Sequence, residues 1–484
     1  MVERTALAPG LSISRVVTGL WQIADMERDG NMLDPGRTAQ AMAPYVEAGF
    51  TSFDMADHYG SSEVIAGTFR EQHRNQRDVQ LFTKWVPKPG PVTRAGVREA
   101  AERSRGRMGG APIDLLQFHA WNYADPSWLD ALFHFQDLKR DGCIRHIGVT
   151  NLDAAHFNMV LASGLDVVSN QVSFSLLDRR AAGRLSDVCA AHGRQLLAYG
   201  TLAGGWLTER WLDRPEPDWE RTGTWSQMKY GRFVRAAGGW DALQRVLRAA
   251  SGVARRHGAS IANVASRYVL EQPAVAAIII GARLGEREHI ADNLRLFSFS
   301  LTKEDQDELN VALATLDPIP GDCGDEYRKP PFLTASGDLS HHLESFPAPY
   351  TSRRGADGRT LCLSGTPWEG MAGYSRAVRK GSRVHVSGTT ATHGDRLIGG
   401  RDPAAQTHFA IDKIEGALQS LGARLEDVVR TRAFVSRIED WPAVARAHGE
   451  RFGHIKPANT LVSAELVGEE YLVELEADAE VGDS

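Results

Sequence analysis

From Arg15 onward, short apolar runs alternate with longer segments in which apolar residues return every three or four positions. The first kind of run suits a buried strand and the second an amphipathic helix. Eight strand candidates occur in the first two thirds of the chain, at residues 15–20, 51–57, 79–85, 114–120, 144–151, 167–174, 195–201 and 276–282. Strands separated by helices pair in parallel, and eight such units are the number that closes a βα barrel. A representative helix is PSWLDALFHFQDLKRDG at 126–142, whose apolar period stops at Gly142. The stretch 202–240 is longer and richer in Trp, Gly and Arg than a minimal βα loop. It is read as either a lid over a site or packing against the barrel.

After Leu316 the pattern lapses. The next 33 residues hold six prolines and show neither period, which is the texture of an interdomain connection. From about 350 alternation returns in residues 382–391, passes from helix to strand over 417–438 and turns helical over 441–453. Two strand-like runs, LVSAELV and YLVELEADA, close the chain. The expected division is a barrel over 1–317, a proline-rich linker over 318–349 and a smaller α+β domain over 350–484. A chain of 484 residues exceeds one ordinary core, so two domains are also the expectation from length.

Composition narrows the partners. With 55 basic and 61 acidic residues the net charge is -6, which disfavours nucleic acid. No apolar stretch approaches the roughly 18 residues of a membrane span, and the N-terminus lacks a signal-peptide core. The four cysteines, Cys143, Cys189, Cys323 and Cys362, show no metal-binding spacing, so no metal site is expected and reduced thiols in the cytoplasm are.

Four polar residues fall at or just beyond the C-terminal ends of consecutive strand candidates: Asp54 and Tyr59, then Lys84, then His119. That end of a βα barrel is where its active site is built. A phenol titrates near about 10, and an ammonium beside it favours the phenolate, so Lys84 is expected to make Tyr59 a better acid. Asp54 would pair with Lys84, and His119 would hydrogen-bond a carbonyl oxygen.

The stretches FTSFDMADHYGSSE, LFTKW, DLLQFHAW and IRHIGVTN resemble the hallmarks of the aldo-keto reductases over residues 1 to about 317. The resemblance implies a nicotinamide-dependent carbonyl reductase on a TIM (β/α)8 barrel, with Tyr59 as proton donor, Lys84 and Asp54 tuning it and His119 orienting the substrate. It implies that Thr150, Asn151 and Gln171 hold the carboxamide and that Tyr199 stacks on the nicotinamide, followed by Gly200, Leu202 and Gly204. It also implies that Arg283, His289 and Asn293 hold the adenosine phosphate end. Leu284 replaces a common hydroxyl residue there and His289 a common arginine, so the phosphate clamp is thinner than in strongly NADPH-specific members. NADP(H) is the favoured cofactor and NAD(H) the alternative.

Residues 350–484 resemble the RidA (YjgF/YER057c/UK114) family through GYSRAVRKGSRVHVSGTTA, DVVRTRAFVSRIEDW and KPANTLVSAELVGEEYLVELEADA. This implies a chorismate-mutase-like domain that forms homotrimers and has a pocket including Tyr374, Ser387 and Glu474. Deaminating members carry an arginine where this chain has Asn459, and an amide lacks the charged fork that grips a carboxylate. Two readings of the module follow: it handles an imine or enamine without a carboxylate, or it is a trimerising scaffold, and deamination of 2-imino acids does not carry over from the resemblance. The functions weighed are reduction of aldehydes or ketones, reduction of imines to amines coupled to the second domain, and a non-catalytic sensing or scaffold role.

Overall fold

The chain opens on an antiparallel hairpin, β1 (Arg4–Ala8) and β2 (Leu11–Ser14), and then enters a closed barrel of eight parallel strands. These are β3 (Val16–Gly19), β4 (Ser52–Asp54), β5 (Gln80–Trp85), β6 (Ile113–His119), β7 (Ile144–Thr150), β8 (Val167–Ser173), β9 (Gln195–Tyr199) and β10 (Val275–Gly281). All eight fall where the alternating pattern places them, and β10 pairs with β3 to close the ring. The structure is a computed structural model that describes residues 1–28, 30–73, 78–221, 223–336, 338 and 346–482.

Every residue of β6 and of β8 is buried. Helices cover the outside of a parallel barrel and side chains fill its inside, so such strands read as continuous apolar runs rather than alternating ones. The hairpin was not expected from the sequence. It plugs the barrel end opposite the strand C-termini, where Leu7, Leu11 and Ile13 pack on Val17, Phe82 and Leu197.

The long stretch after β9 serves both purposes weighed for it. Trp206, Trp211, Trp219 and Trp240 pack ring against ring at centroid distances of 4.5–6.1 Å. Trp206 is fully buried there and does not face the mouth. The helix Trp225–Ala236 that follows does form part of the mouth.

The segment expected as a linker over 318–349 is more than a spacer. Its short helix Asp325–Arg328 is buried against the barrel. Arg328 donates to the carbonyls of Ala120 at 2.9 Å and Asn151 at 2.7 Å and lies 4.3 Å from the centre of the Tyr123 ring. Glu326 pairs with Arg180 at 2.9 Å. Residues 337 and 339–345 of the expected linker lie outside the described residues.

The second domain is a seven-stranded sheet with helices on one face. Its strands are β11 (Thr351–Arg354), β12 (Arg359–Leu363), β13 (Ala377–Lys380), β14 (Arg383–Thr390), β17 (Val428–Val435), β18 (Ala458–Ser463) and β19 (Val473–Glu480), in the order β11-β12-β13-β14-β19-β17-β18. A small hairpin, β15 (Thr392–His393) with β16 (Arg396–Leu397), stands apart from the sheet. The helices Pro403–Ser420 and Trp441–Phe452 supply the buried Ile411, Ile414, Val444 and Phe452 of its core.

The two domains share a packed interface. Ala391, Ile398, Ala405 and Phe409 belong to the same continuous apolar cluster as the barrel core. Gly416 lies so close to the Ala124 carbonyl that a Cβ there would collide with it, so glycine is required. His156 of the barrel helix Ala154–Ala162 bridges Asp153 at 2.8 Å and Asp412 of the second domain at 3.0 Å. Asp412 also pairs with Arg451. Among the described residues no helix is long and apolar enough to cross a membrane, and the four cysteines are unpaired.

Candidate active site

Asp54 ends β4, Lys84 lies in β5 and His119 ends β6, so adjacent parallel strands deliver three side chains to one end of the barrel. The loop after β4 brings Tyr59 over them, edge-on to the Trp21 ring at 4.9 Å. Asp54 accepts the Lys84 ammonium on Oδ2 at 2.6 Å. Its Oδ1 accepts from the side-chain amides of Gln117 at 3.1 Å and Gln171 at 2.8 Å. The carboxylate is thereby saturated by three donors, and Lys84, only 5% exposed, is fixed with its ammonium 5.5 Å from the centre of the Tyr59 ring.

The electrostatics differ from the expectation in one respect. Burial, followed by the Asp54 charge, holds the Tyr59 phenol well above its ordinary pKa. Burial also pulls the Lys84 ammonium down against the opposing pull of Asp54. Burial is the larger cause, and Lys84, held 2.6 Å from its counter-ion, does not offset it. Tyr59 therefore holds its proton as a neutral phenol, the form a proton donor needs.

His119 is kept neutral by burial, with Arg328 as the next cause. Asn151 Nδ2 lies 3.4 Å from His119 Nδ1, a contact that the tautomer with its proton on Nε2 satisfies, Nδ1 then accepting. His119 Nε2 is buried and has no hydrogen-bond partner among the described residues. An unpartnered buried donor beside Tyr59 suits a carbonyl oxygen. Asn151 itself sits at φ 61°, a left-handed conformation that Asn tolerates better than most residues. The Arg328 bond to its carbonyl and the Tyr199 hydroxyl on its Oδ1, at 2.7 Å, pin it there.

One cavity of about 1020 Å³ takes in all four catalytic candidates and every cofactor candidate except Asn293. Thr150 ends β7 and donates to the Gln171 carbonyl at 2.9 Å. The Gln171 amide N–H groups bond Asp54 and Gln117, which leaves its oxygen as the polar atom free to meet a carboxamide. Tyr199 ends β9 at the wall, with Gly200, Leu202 and Gly204 beside it. At the far end Arg283, Arg287 and His289 line the cavity, and Arg28 pairs with Glu286 at 2.7 Å to fix that loop. Leu284 is buried in the barrel core, and Asn293 is buried in the helix Ile290–Arg295 outside the wall. An elongated cavity with an aromatic ring at the catalytic end and guanidinium groups at the other fits a nicotinamide dinucleotide.

Several residues of the site had not been singled out: Lys229, Tyr230 and Tyr327 in the cavity wall, and Gln117 buried behind it on Asp54. Gln117 is a polar residue inside a buried strand, which is a visible signal. Tyr327 lies in the aperiodic proline-rich stretch, where no pattern marks it. Of the tryptophans near the mouth loops, Trp21, Trp121 and Trp225 line the cavity. Among the described residues no group of three or more His, Cys, Asp or Glu side chains converges to hold a metal.

In the second domain, a Cβ at Gly388 would strike the Glu474 carboxylate, so Glu474 lies against the residue that follows Ser387, and it pairs with Thr390 across β14 and β19. Ser387 donates to the Ser375 carbonyl at 2.8 Å. Arg376, not singled out from the sequence, donates to the Gly388 carbonyl at 2.8 Å and lies 5.8 Å from the Tyr374 ring centre. Burial, with Glu476 next, raises the pKa of Glu474. Asn459 stands apart on β18, paired with Thr431 of β17, whereas Glu474 faces Phe434. Its amide donates to the Thr431 hydroxyl at 2.9 Å, so within one chain it is a satisfied strand residue rather than part of that cluster.

Comparison with known proteins agrees with this architecture. Residues 15–314 match the aldo/keto reductase family, and residues 366–481 match the family described as endoribonuclease L-PSP. The chain is 41% identical over 117 residues to uncharacterized protein SCO2049 of Streptomyces coelicolor, covering 24% of this chain and 87% of that one. It is 30% identical over 288 residues to protein tas of Escherichia coli, covering 50% of this chain and 80% of that one. A third relative, an NADH-specific methylglyoxal reductase of Escherichia coli, is 25% identical over 324 residues, covering 61% of this chain and 93% of that one.

Proposed function

The chain belongs to the aldo/keto reductase family and is a nicotinamide-dependent oxidoreductase, and from that premise we propose that it reduces aldehydes or ketones with NADPH. The single observation that carries this reading is the meeting of the neutral Tyr59 phenol and the unpartnered His119 Nε2 in one cavity beside the Lys84–Asp54 pair. A nicotinamide held by Thr150, Asn151, Gln171 and Tyr199 would supply the hydride that the carbonyl carbon gains. His119 holds the carbonyl oxygen, and Tyr59 gives its proton to that oxygen as negative charge develops there. The Lys84 ammonium then stabilises the phenolate that remains.

An NAD(P)H-oxidation screen of the whole chain against aldehydes, ketones, aldoses and cyclic imines tests the reading. Turnover of no carbonyl compound by a chain that binds NADPH would overturn it.

The preference for NADPH is argued from Arg283. A charge-assisted contact to a 2'-phosphate is the only interaction that separates the two cofactors, so Arg283→Ala weakens NADPH binding by about 10- to 100-fold and barely changes NADH. Titration of cofactor fluorescence measures both, and an equal loss for NADH would remove Arg283 from the phosphate site.

The second domain is assigned to assembly. Val429 and Val462 are 50% and 42% exposed on β17 and β18, and β18 is exposed along nearly its whole length at the sheet edge. Apolar residues on an open edge strand are a surface for other chains. A homotrimer through this domain is expected, and light scattering that returns a monomer mass would exclude it. The reading places the enzyme in the cytoplasm.

A further inference from the structure

The cavity holds a cation for which the proposed reduction has no use. Lys229, on the helix Trp225–Ala236, is only 9% exposed. Its ammonium donates to the Tyr327 hydroxyl at 2.7 Å. It lies 4.6 Å from the centre of the Tyr327 ring, 4.9 Å from that of Tyr199 and 5.3 Å from that of Tyr230.

Among the described residues no carboxylate forms an ion pair with it. Glu326, the strongest negative influence on Lys229, is committed to Arg180 at 2.9 Å. Asp338 lines the same cavity without reaching the ammonium.

A lysine buried for structural reasons is ordinarily closed off by a carboxylate or by carbonyl oxygens, because a desolvated ammonium is costly to leave without them. Aromatic faces recover part of that cost and leave the donors free. Of three N–H groups on Lys229, Tyr327 takes one. Burial meanwhile pulls its pKa below that of an ordinary lysine, a strain that a bound anion relieves.

Tyr327 connects this cation to the chemistry. Its ring meets the His119 ring edge-on at 5.3 Å, and His119 Nε2 is the open donor for a carbonyl oxygen. The breadth of one tyrosine separates a carbonyl anchor from an anion anchor.

We propose that Lys229, together with the Tyr327 hydroxyl, binds a carboxylate of the substrate, so that the barrel acts on aldehydes or ketones carrying a carboxylate a few bonds from the carbonyl. The proposal rests on the carbonyl-reductase reading. The carboxylate is a spectator: the carbonyl carbon gains the hydride, its oxygen gains the Tyr59 proton, and the product is a hydroxy acid. Lys229 is thus a substrate-specificity residue.

The test pairs 4-carboxybenzaldehyde with its neutral analogue methyl 4-formylbenzoate. Wild type is expected to favour the acid in kcat/KM by about 10- to 100-fold, chiefly through KM. Lys229→Met should collapse the acid-to-ester ratio towards one, and Lys229→Arg should restore part of it. No preference in the wild type, or a preference that survives Lys229→Met with a native melting curve, overturns the assignment.

Calorimetric binding of benzoate to the NADPH-loaded chain decides the matter even if neither aldehyde turns over. Binding lost in Lys229→Met sustains the anion site even where the wider screen of carbonyl compounds overturns the reductase reading. Binding equal in both proteins ends the anion site while leaving carbonyl reduction untouched.

Discussion

Tyr59→Phe is expected to lower kcat/KM for carbonyl reduction by about 10²- to 10⁴-fold, the usual contribution of a positioned general acid. The ring and its edge contact with Trp21 survive the substitution, so the loss is that of one proton at one place. Because the phenol is held neutral by burial, the wild-type activity should not fall across neutral pH through Tyr59 ionisation. Cofactor affinity, read by fluorescence, should be nearly unchanged, and an equal loss there would mean that the site had collapsed.

The same variant separates carbonyl from imine reduction. An iminium arrives already protonated, so its reduction needs little from Tyr59 and would persist in Tyr59→Phe if imines were the true substrates. Equal loss on both substrate types would remove support for a distinct imine mechanism. Undiminished carbonyl reduction would remove Tyr59 from the proton path.

The second large effect lies between the domains. Removing His156 by substitution to Ala leaves Asp153 and Asp412 buried without their shared cation, at a cost of about 3–5 kcal/mol. Burial alone would lower the His156 pKa, but the Asp153 and Asp412 charges outweigh it and raise the group from 6.5 to about 9. A group raised on folding stabilises fully below its unfolded pKa and loses that contribution as pH climbs through the folded one. By linkage, roughly 3 kcal/mol present at pH 6 is lost between about pH 6.5 and 9.5.

Asp153 and Asp412 shift the other way, so their contribution is lost only in acid. Thermal melts of wild type and His156→Ala should therefore differ widely at pH 6 and converge above pH 9. A gap that stayed constant across that range would show that His156 is not charged in the folded protein.

The barrel was legible because buried strands and amphipathic helices leave different periods, and eight strand candidates separated by helical segments are hard to mistake. The hairpin Arg4–Ala8 and Leu11–Ser14 was not, since two short strands carry too few residues to establish a period. The catalytic set was legible by position, each side chain standing at the end of a strand.

That burial and Asp54 outweigh Lys84 at the Tyr59 phenol was not legible. It depends on the 2.6 Å separation of Lys84 from Asp54, a distance between residues 30 positions apart. Tyr327 and Arg328 escaped notice for a related reason: they sit in a proline-rich stretch whose packing follows from barrel side chains far away in sequence. Which way the Trp206 ring turns was not legible either: it packs into the tryptophan cluster rather than the cavity wall.

The joined apolar cluster beneath Phe409, with Gly416 against the Ala124 carbonyl, means that sequence boundaries and folding boundaries do not coincide in this chain. A cut in the proline-rich stretch would release two pieces, each with a bare apolar flank that water must then cover. Neither half can be swapped for a homologue as a cassette unless the helix Ala154–Ala162 and the helix Pro403–Ser420 are exchanged as a matched pair.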